Sequence, residues 1–134
     1  MKYPFRVNSE IGKLKSVLLH RPGKELENLT PEYLPRLLFD DIPDLKVIQQ
    51  EHDYFANALR NRGIEVLYLT TLLSEALHTE DIKKQFVADI LFESKVMVNG
   101  SYDTVSEFLL SHSTKDMIDK IIAGVRKSEI QKEK

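Results

Sequence analysis

Cysteine does not occur anywhere in this sequence. Its absence excludes a disulfide framework and fits a reducing cytoplasm. It also excludes every mechanism in which this chain itself supplies a thiolate nucleophile. Long apolar runs are missing too: no stretch is long enough to span a bilayer, and the first residues, "MKYPFRVNSE", lack the apolar core of a secretory signal. The expectation is therefore a cytoplasmic protein with no membrane association. Charge of one sign is not in excess, with 19 Lys and Arg against 21 Asp and Glu and a net charge of −2. Nothing here draws in nucleic acid or an acidic membrane, and the interspersed charges describe a solvated surface. Only five glycines occur, all isolated, so there is no G-x-G-x-x-G or Walker phosphate loop, and no G-x-S-x-G elbow. The aromatic residues do not interleave with a basic patch, which leaves stacking on single-stranded nucleic acid without support.

What is present is enough apolar sequence, 42% of 134 residues, to build one domain's core. The segment "KLKSVLLH", Lys13 to His20, ends in the apolar run Val17-Leu18-Leu19 and breaks at "RPG", the pattern of a buried strand. Thr30-Pro31 has the form of a helix start. The strongest helical pattern runs from about Asp44 to Arg62, with Leu45, Ile48, His52, Phe55 and Leu59 on one face. Asp44 is its expected N-cap, and Gly63 its expected left-handed terminus. "IEVLYL", Ile64 to Leu69, is the next strand. Strand, helix, glycine, strand is a crossover unit that places two parallel strands in one sheet.

Beyond Thr70 the pattern is helical. Thr79 is an expected cap for a helix burying Ile82, Phe86, Ile90 and Leu91; "TVSE", Thr104 to Glu107, matches a capping box ahead of Phe108 and Leu109. Ser113 or Thr114 opens a last helix carrying Met117, Ile118, Ile121 and Ile122, ended by Gly124. The expected fold class is α/β: an incomplete strand-helix-strand unit over 1–69, an all-helical bundle over 70–125, and a charged tail or cut linker over 126–134. Two strands do not make an independently stable sheet, so the first unit is expected to be a piece of something larger.

Candidate chemistry is sparse. Asp40 and Asp41 in "LLFDDIP" could act as acid and base. Adjacent residues on an extended segment point to opposite sides, however, and an acid pair before Pro43 is ordinary turn chemistry. His52 lies in "EHD", but consecutive residues lack the i, i+3 or i+4 spacing of ligands on one helix face. A satisfied, partly buried histidine is the plainer reading, and no metal site is expected. His20, at a strand end, is a respectable place for function in an α/β fold, although packing under the "RPG" turn is preferred. No cofactor and no catalytic residue is assigned.

The stretches "SEIGKLKSVLLHRPGKE", "LTPEYLPRLLFDDIP", "EHDYFANALRNRGIEVLYL" and "IIAGVRK" are long and specific. Together they resemble the N-terminal part of bacterial arginine deiminase, over essentially the whole chain but well under half of such an enzyme. The resemblance implies hydrolysis of L-arginine to L-citrulline and ammonia on a propeller of ββαβ-type modules with a helical bundle inserted near the N-terminus. Residues 1–69 would then be a partial α/β propeller module. It implies a cysteine thiolate that attacks the guanidinium carbon, a histidine and a glutamate that move protons, and paired carboxylates that hold the guanidinium. All of these catalytic residues would lie beyond Lys134. By resemblance, Leu38 lines the substrate pocket and Asp40 and Asp41 shape the loop beside it; His20, Arg21 and Pro22 are assigned structure. The expected partners are L-arginine in the complete enzyme and either the remainder of that enzyme or a second copy of this chain. The chain alone is expected to be inactive. A non-catalytic, self-associating or partner-binding module is the alternative.

Overall fold

In the computed structural model, residues 7–28, 43–96 and 101–132 are described. Two short strands, β1 (Ser16–Leu19) and β2 (Glu65–Tyr68), pair in parallel with Ser16 opposite Glu65 and Leu19 opposite Tyr68. A short helix, α1 (Lys24–Glu27), comes after β1, and the long helix α2 (Leu45–Arg60) precedes β2. This is the expected crossover. The side chain of Asp44 accepts a hydrogen bond from the Val47 N–H and caps α2. The helix is closed by Gly63 at φ +73°, with the Ile64 N–H bonded back to Leu59 O at 3.2 Å. That closure is a Schellman motif, and its left-handed residue is the one place in this unit where glycine's freedom is required.

Burial on α2 differs from the periodic reading in one respect. Ala56 is its fully buried residue, whereas Phe55 remains 53% exposed. Phe55 lies at the margin of the buried stripe, while the small side chain of Ala56 is fully enclosed.

The rest of the described chain is helical: α3 (Leu69–Ala76), α4 (Glu80–Glu93), α5 (Ser101–Leu110), α6 (Thr114–Ala123) and α7 (Lys127–Lys132). The principal core lies here, formed by Leu77, Val87, Leu91, Phe108, Leu109, Met117 and Ile118. Thr79 and Ser113 cap α4 and α6 through their side-chain oxygens, as their positions predict. Gly124 ends α6 at φ +82°.

Four local expectations change. Helix α3 begins directly after β2, with no side-chain cap on Tyr68 to announce it. "TVSE" lies inside α5, so Thr104 starts no helix. The buried face of α4 is Lys83, Val87 and Leu91, while Ile82 is 40% exposed. The segment expected to be a charged tail carries α7, whose Ile130 packs against the core. Lys83 is buried because its ammonium donates to His112 O at 2.8 Å, just past the end of α5, where backbone carbonyls lack helical partners. Among the described residues, no helix is long and apolar enough to cross a membrane.

Candidate functional site

The C-terminal ends of parallel strands are where open α/β sheets place their chemistry. At this end of β1, the backbone turns through His20, Arg21, Pro22 and Gly23, and polar contacts hold each step. His20 Nε2 and Glu25 Oε1 are 2.9 Å apart, and the same oxygen accepts the Gly23 N–H at 2.7 Å. Partial burial pushes the Glu25 carboxyl up; hydrogen bonds from His20, from the Gly23 N–H and from its own N–H outweigh that effect and leave it below its ordinary value. The carboxylate closes the turn.

Arg21 reaches across to α2 and forms a two-pronged bridge with Asp53, Nε to Oδ1 at 2.7 Å and an Nη to Oδ2 at 2.8 Å. This fork geometry is why arginine rather than lysine suits the position. The bond holds the Asp53 carboxyl below its usual range, helped by the positive charges of Arg21 and Arg60. One turn earlier on α2, the Gln49 amide donates to Pro22 O at 2.7 Å. The strand end is therefore pinned to α2 at two successive residues.

His52 packs its ring against Tyr68 of β2, with centroids 5.8 Å apart, and Arg60 also lies over Tyr68, 5.7 Å from its centroid. The expectation that His52 is a satisfied, partly buried histidine holds only in part. It is half-buried, but its Nε2 is shut from solvent without a hydrogen-bond partner among the described residues, as is Nδ1 of His20. Sequence periodicity places His52 on the buried face but says nothing of its partner. Arg21, Asp53 and Gln49 carry no sequence signal of their own, because the contacts join residues 27 to 32 positions apart.

From α1, Asn28 extends its side-chain amide to Ala123 O at the end of α6, at 2.6 Å. This bond ties the β1–α1 segment to the helical bundle. Asn28 on one side and the Asp44 cap on the other flank the segment that contains Leu38, Asp40 and Asp41; those three residues lie outside the described ones.

Among the described residues, no three His, Asp or Glu side chains gather closely enough to hold a metal ion. The polar groups at the strand end face one another, each engaged in a hydrogen bond of the turn. A second feature is a cavity of about 640 Å³ in the helical bundle, bordered by Ile90, Leu91, Val105, Leu109, Ile121 and Ile130 among others. No histidine or acid lines it among the described residues, so it offers volume without acid–base chemistry.

The arrangement thus braces the end of β1 against α2 and the β1–α1 segment against α6. Comparison with known proteins gives that brace a family. The arginine deiminase family model matches residues 35–134. This chain belongs to the arginine deiminase family. An arginine deiminase of Bacillus cereus is 58% identical over 134 residues, all of this chain and 33% of that protein. One of Limosilactobacillus reuteri is 57% identical over 131 residues, 98% of this chain and 32% of that protein. One of Staphylococcus haemolyticus is 56% identical over 128 residues, 96% of this chain and 31% of that protein. The chain spans about a third of the length of these family members, a coverage that matches the N-terminal portion read from "SEIGKLKSVLLHRPGKE" and "LTPEYLPRLLFDDIP".

Proposed function

We propose that this chain serves as the N-terminal portion of a cytoplasmic enzyme hydrolysing L-arginine to L-citrulline and ammonia, and that by itself it performs no turnover. Residues 1–69 act as a partial propeller module, 70–125 as a helical insertion, and 126–134 as the join to the remainder of the enzyme. Leu38 lines the substrate pocket, and Asp40 and Asp41 shape the loop beside it. The guanidinium carbon of arginine is cationic and resonance-stabilised. Its hydrolysis therefore calls for a strong nucleophile and for acids that hold it in line for attack. The thiolate and its proton carriers belong to the other two thirds of the enzyme, and this portion supplies part of the wall. The observation that carries the reading is identity of 56–58% with arginine deiminases along essentially the entire chain, joined to the complete absence of cysteine.

The experiment is to assay citrulline release by the purified 134-residue chain, alone and together with a polypeptide covering the remaining two thirds of the Bacillus cereus relative. The expected result is no release by either piece and release by the mixture. Turnover by this chain alone overturns the reading, as does a mixture that forms a complex yet stays inactive.

The alternative, a non-catalytic module that self-associates, is favoured by one observation. Tyr54, Phe55 and Val47 are 80%, 53% and 50% exposed on a single helix.

A further inference from the structure

The cavity of about 640 Å³ in the helical bundle lies between α4, α5, α6 and α7. Protein interiors are close-packed, and voids much larger than a water molecule are few. This one has the size of a small-molecule site, and its lining is graded from floor to mouth. Leu91 and Leu109, 3% and 1% exposed, form the floor. Val105, Ile121 and Ile130 are half-buried and form the walls. Thr104 is half-buried as well, while Lys127 and Gln131 are exposed and stand at the mouth. Water held among the aliphatic side chains has few hydrogen-bond partners, whereas a hydrocarbon chain needs none.

Charge at the mouth selects the head group. Lys127 is the one charged residue on the described lining, and it makes no ion pair among the described residues. No Asp or Glu stands on that lining to balance it. The Thr104 hydroxyl and the Gln131 amide add neutral donors suited to an acceptor oxygen. The complementary occupant therefore has an aliphatic body and a single anionic head. The chain as a whole carries a net charge of −2, so its overall field favours a cation. A preference for an anion has to come from this site.

We propose that this cavity is a binding site for a medium-chain aliphatic carboxylate. Its hydrocarbon is buried against the floor and walls, and its head accepts a charge-assisted hydrogen bond from Lys127. For a ligand of about a dozen heavy atoms, such as decanoate, the dissociation constant is on the order of 100 μM. The inference is independent of arginine turnover.

Isothermal titration calorimetry of the 134-residue chain tests it with two amphiphiles of equal chain length and opposite head charge, decanoate and decyltrimethylammonium. Decanoate is expected to bind one to one, and the cation at least about tenfold more weakly. Lys127→Glu is expected to reverse that preference. The position is exposed, so the variant keeps the fold, and its result stands whether or not the core tolerates a larger side chain. Val105→Phe fills part of the walls and is expected to weaken decanoate binding at least about fivefold, with circular dichroism reporting its helical content. No decanoate binding up to about 1 mM overturns the proposal. Equal affinity for both amphiphiles overturns it too, as the mark of adventitious binding to exposed apolar surface. So does a folded Val105→Phe chain that binds decanoate unchanged, because the ligand then lies elsewhere. If the downstream two thirds of the Bacillus cereus relative displaces decanoate from the chain, the cavity belongs to the rest of the enzyme and the ligand assignment falls.

Discussion

Lys95 stands at the end of α4 in the conformation that Gly63 adopts at the end of α2. Its φ is +55°, against +73° for Gly63. In both places the following N–H reaches back five residues, Val96 to Leu91 O at 3.1 Å and Ile64 to Leu59 O at 3.2 Å. In both, the left-handed residue's own N–H reaches back three, to Phe92 O and Arg60 O. The lysine therefore carries a Cβ in a backbone region that disfavours one by roughly 1–2 kcal/mol. Lys95→Gly is expected to stabilise the chain by about 0.5–1 kcal/mol, part of the relief being offset by the freer unfolded chain. Gly63→Ala is expected to destabilise it by about 1 kcal/mol through the backbone alone, since a Cβ there meets nothing within 4 Å. Urea midpoints of the two variants check the pair, and a lower midpoint for Lys95→Gly removes strain as the explanation.

The same contrast shows what kind of structure can be read from this sequence. Asp44, Gly63, Thr79, Ser113 and Gly124 are legible because each acts on backbone groups within a few residues of itself. The parallel pairing of β1 and β2 is legible because the intervening helix permits little else. Lys95 is not, because no local signal asks a lysine to adopt φ > 0. Nor is the inward turn of Lys83, since the carbonyl it meets belongs to residue 112, on a different part of the bundle. Which side of α4 faces inward is decided by α5, so Ile82 lies outside despite its chemistry. Thr104 matches a capping box by composition, yet α5 starts at Ser101 and the box falls within it. At the candidate site, the strand end and the helix beside it are legible, while the Arg21–Asp53 and Gln49–Pro22 links arise only from the fold.

Lys83 should be more costly to replace than its residue type implies. Its side chain spans from α4 to the end of α5, where the ammonium donates to His112 O at 2.8 Å. Lys83→Met keeps the aliphatic stem and removes the donor, leaving a carbonyl at a helix end without it. The expected loss is about 1.5–3 kcal/mol, the scale of a hydrogen bond that involves a charged group. Chemical denaturation measures it directly. A midpoint that rises instead would mean that burying the charge costs more than the bond returns.

Acid should loosen the strand end. Asp53 is held below its ordinary value, first by its hydrogen bonds to Arg21, and Glu25 lies below its own through His20 and Gly23, against an opposing effect of burial. A carboxyl with a depressed folded-state pKa contributes stability that is fully present above its unfolded value, about 4 for these residues. That contribution is lost as pH falls through the folded value. Wild-type stability should therefore decline below about pH 4–5 more steeply than that of Asp53→Asn, which has no such proton to gain. Stability curves of the two proteins from about pH 7 to about pH 3 check the sign. Parallel curves would show that the Arg21 bridge contributes nothing in solution, the common outcome for exposed ion pairs.

The bond from Asn28 to Ala123 yields an ordering of three proteins. Ala123 is the last residue of α6, and its carbonyl is one of those a helix end leaves open. Gly124 continues at φ +82° and ψ 140°, out of the helix. Asn28 supplies the missing donor through Nδ2 at 2.6 Å. Asn28→Ala removes that donor and is expected to cost about 0.5–1.5 kcal/mol. Asn28→Asp has nearly the same shape but sets a carboxylate against a carbonyl and against the negative end of the α6 dipole, and should be the least stable of the three. The expected order of urea midpoints is wild type, then alanine, then aspartate. An aspartate variant as stable as wild type would mean that the asparagine presents its oxygen, not its nitrogen, toward α6, and that another group satisfies Ala123.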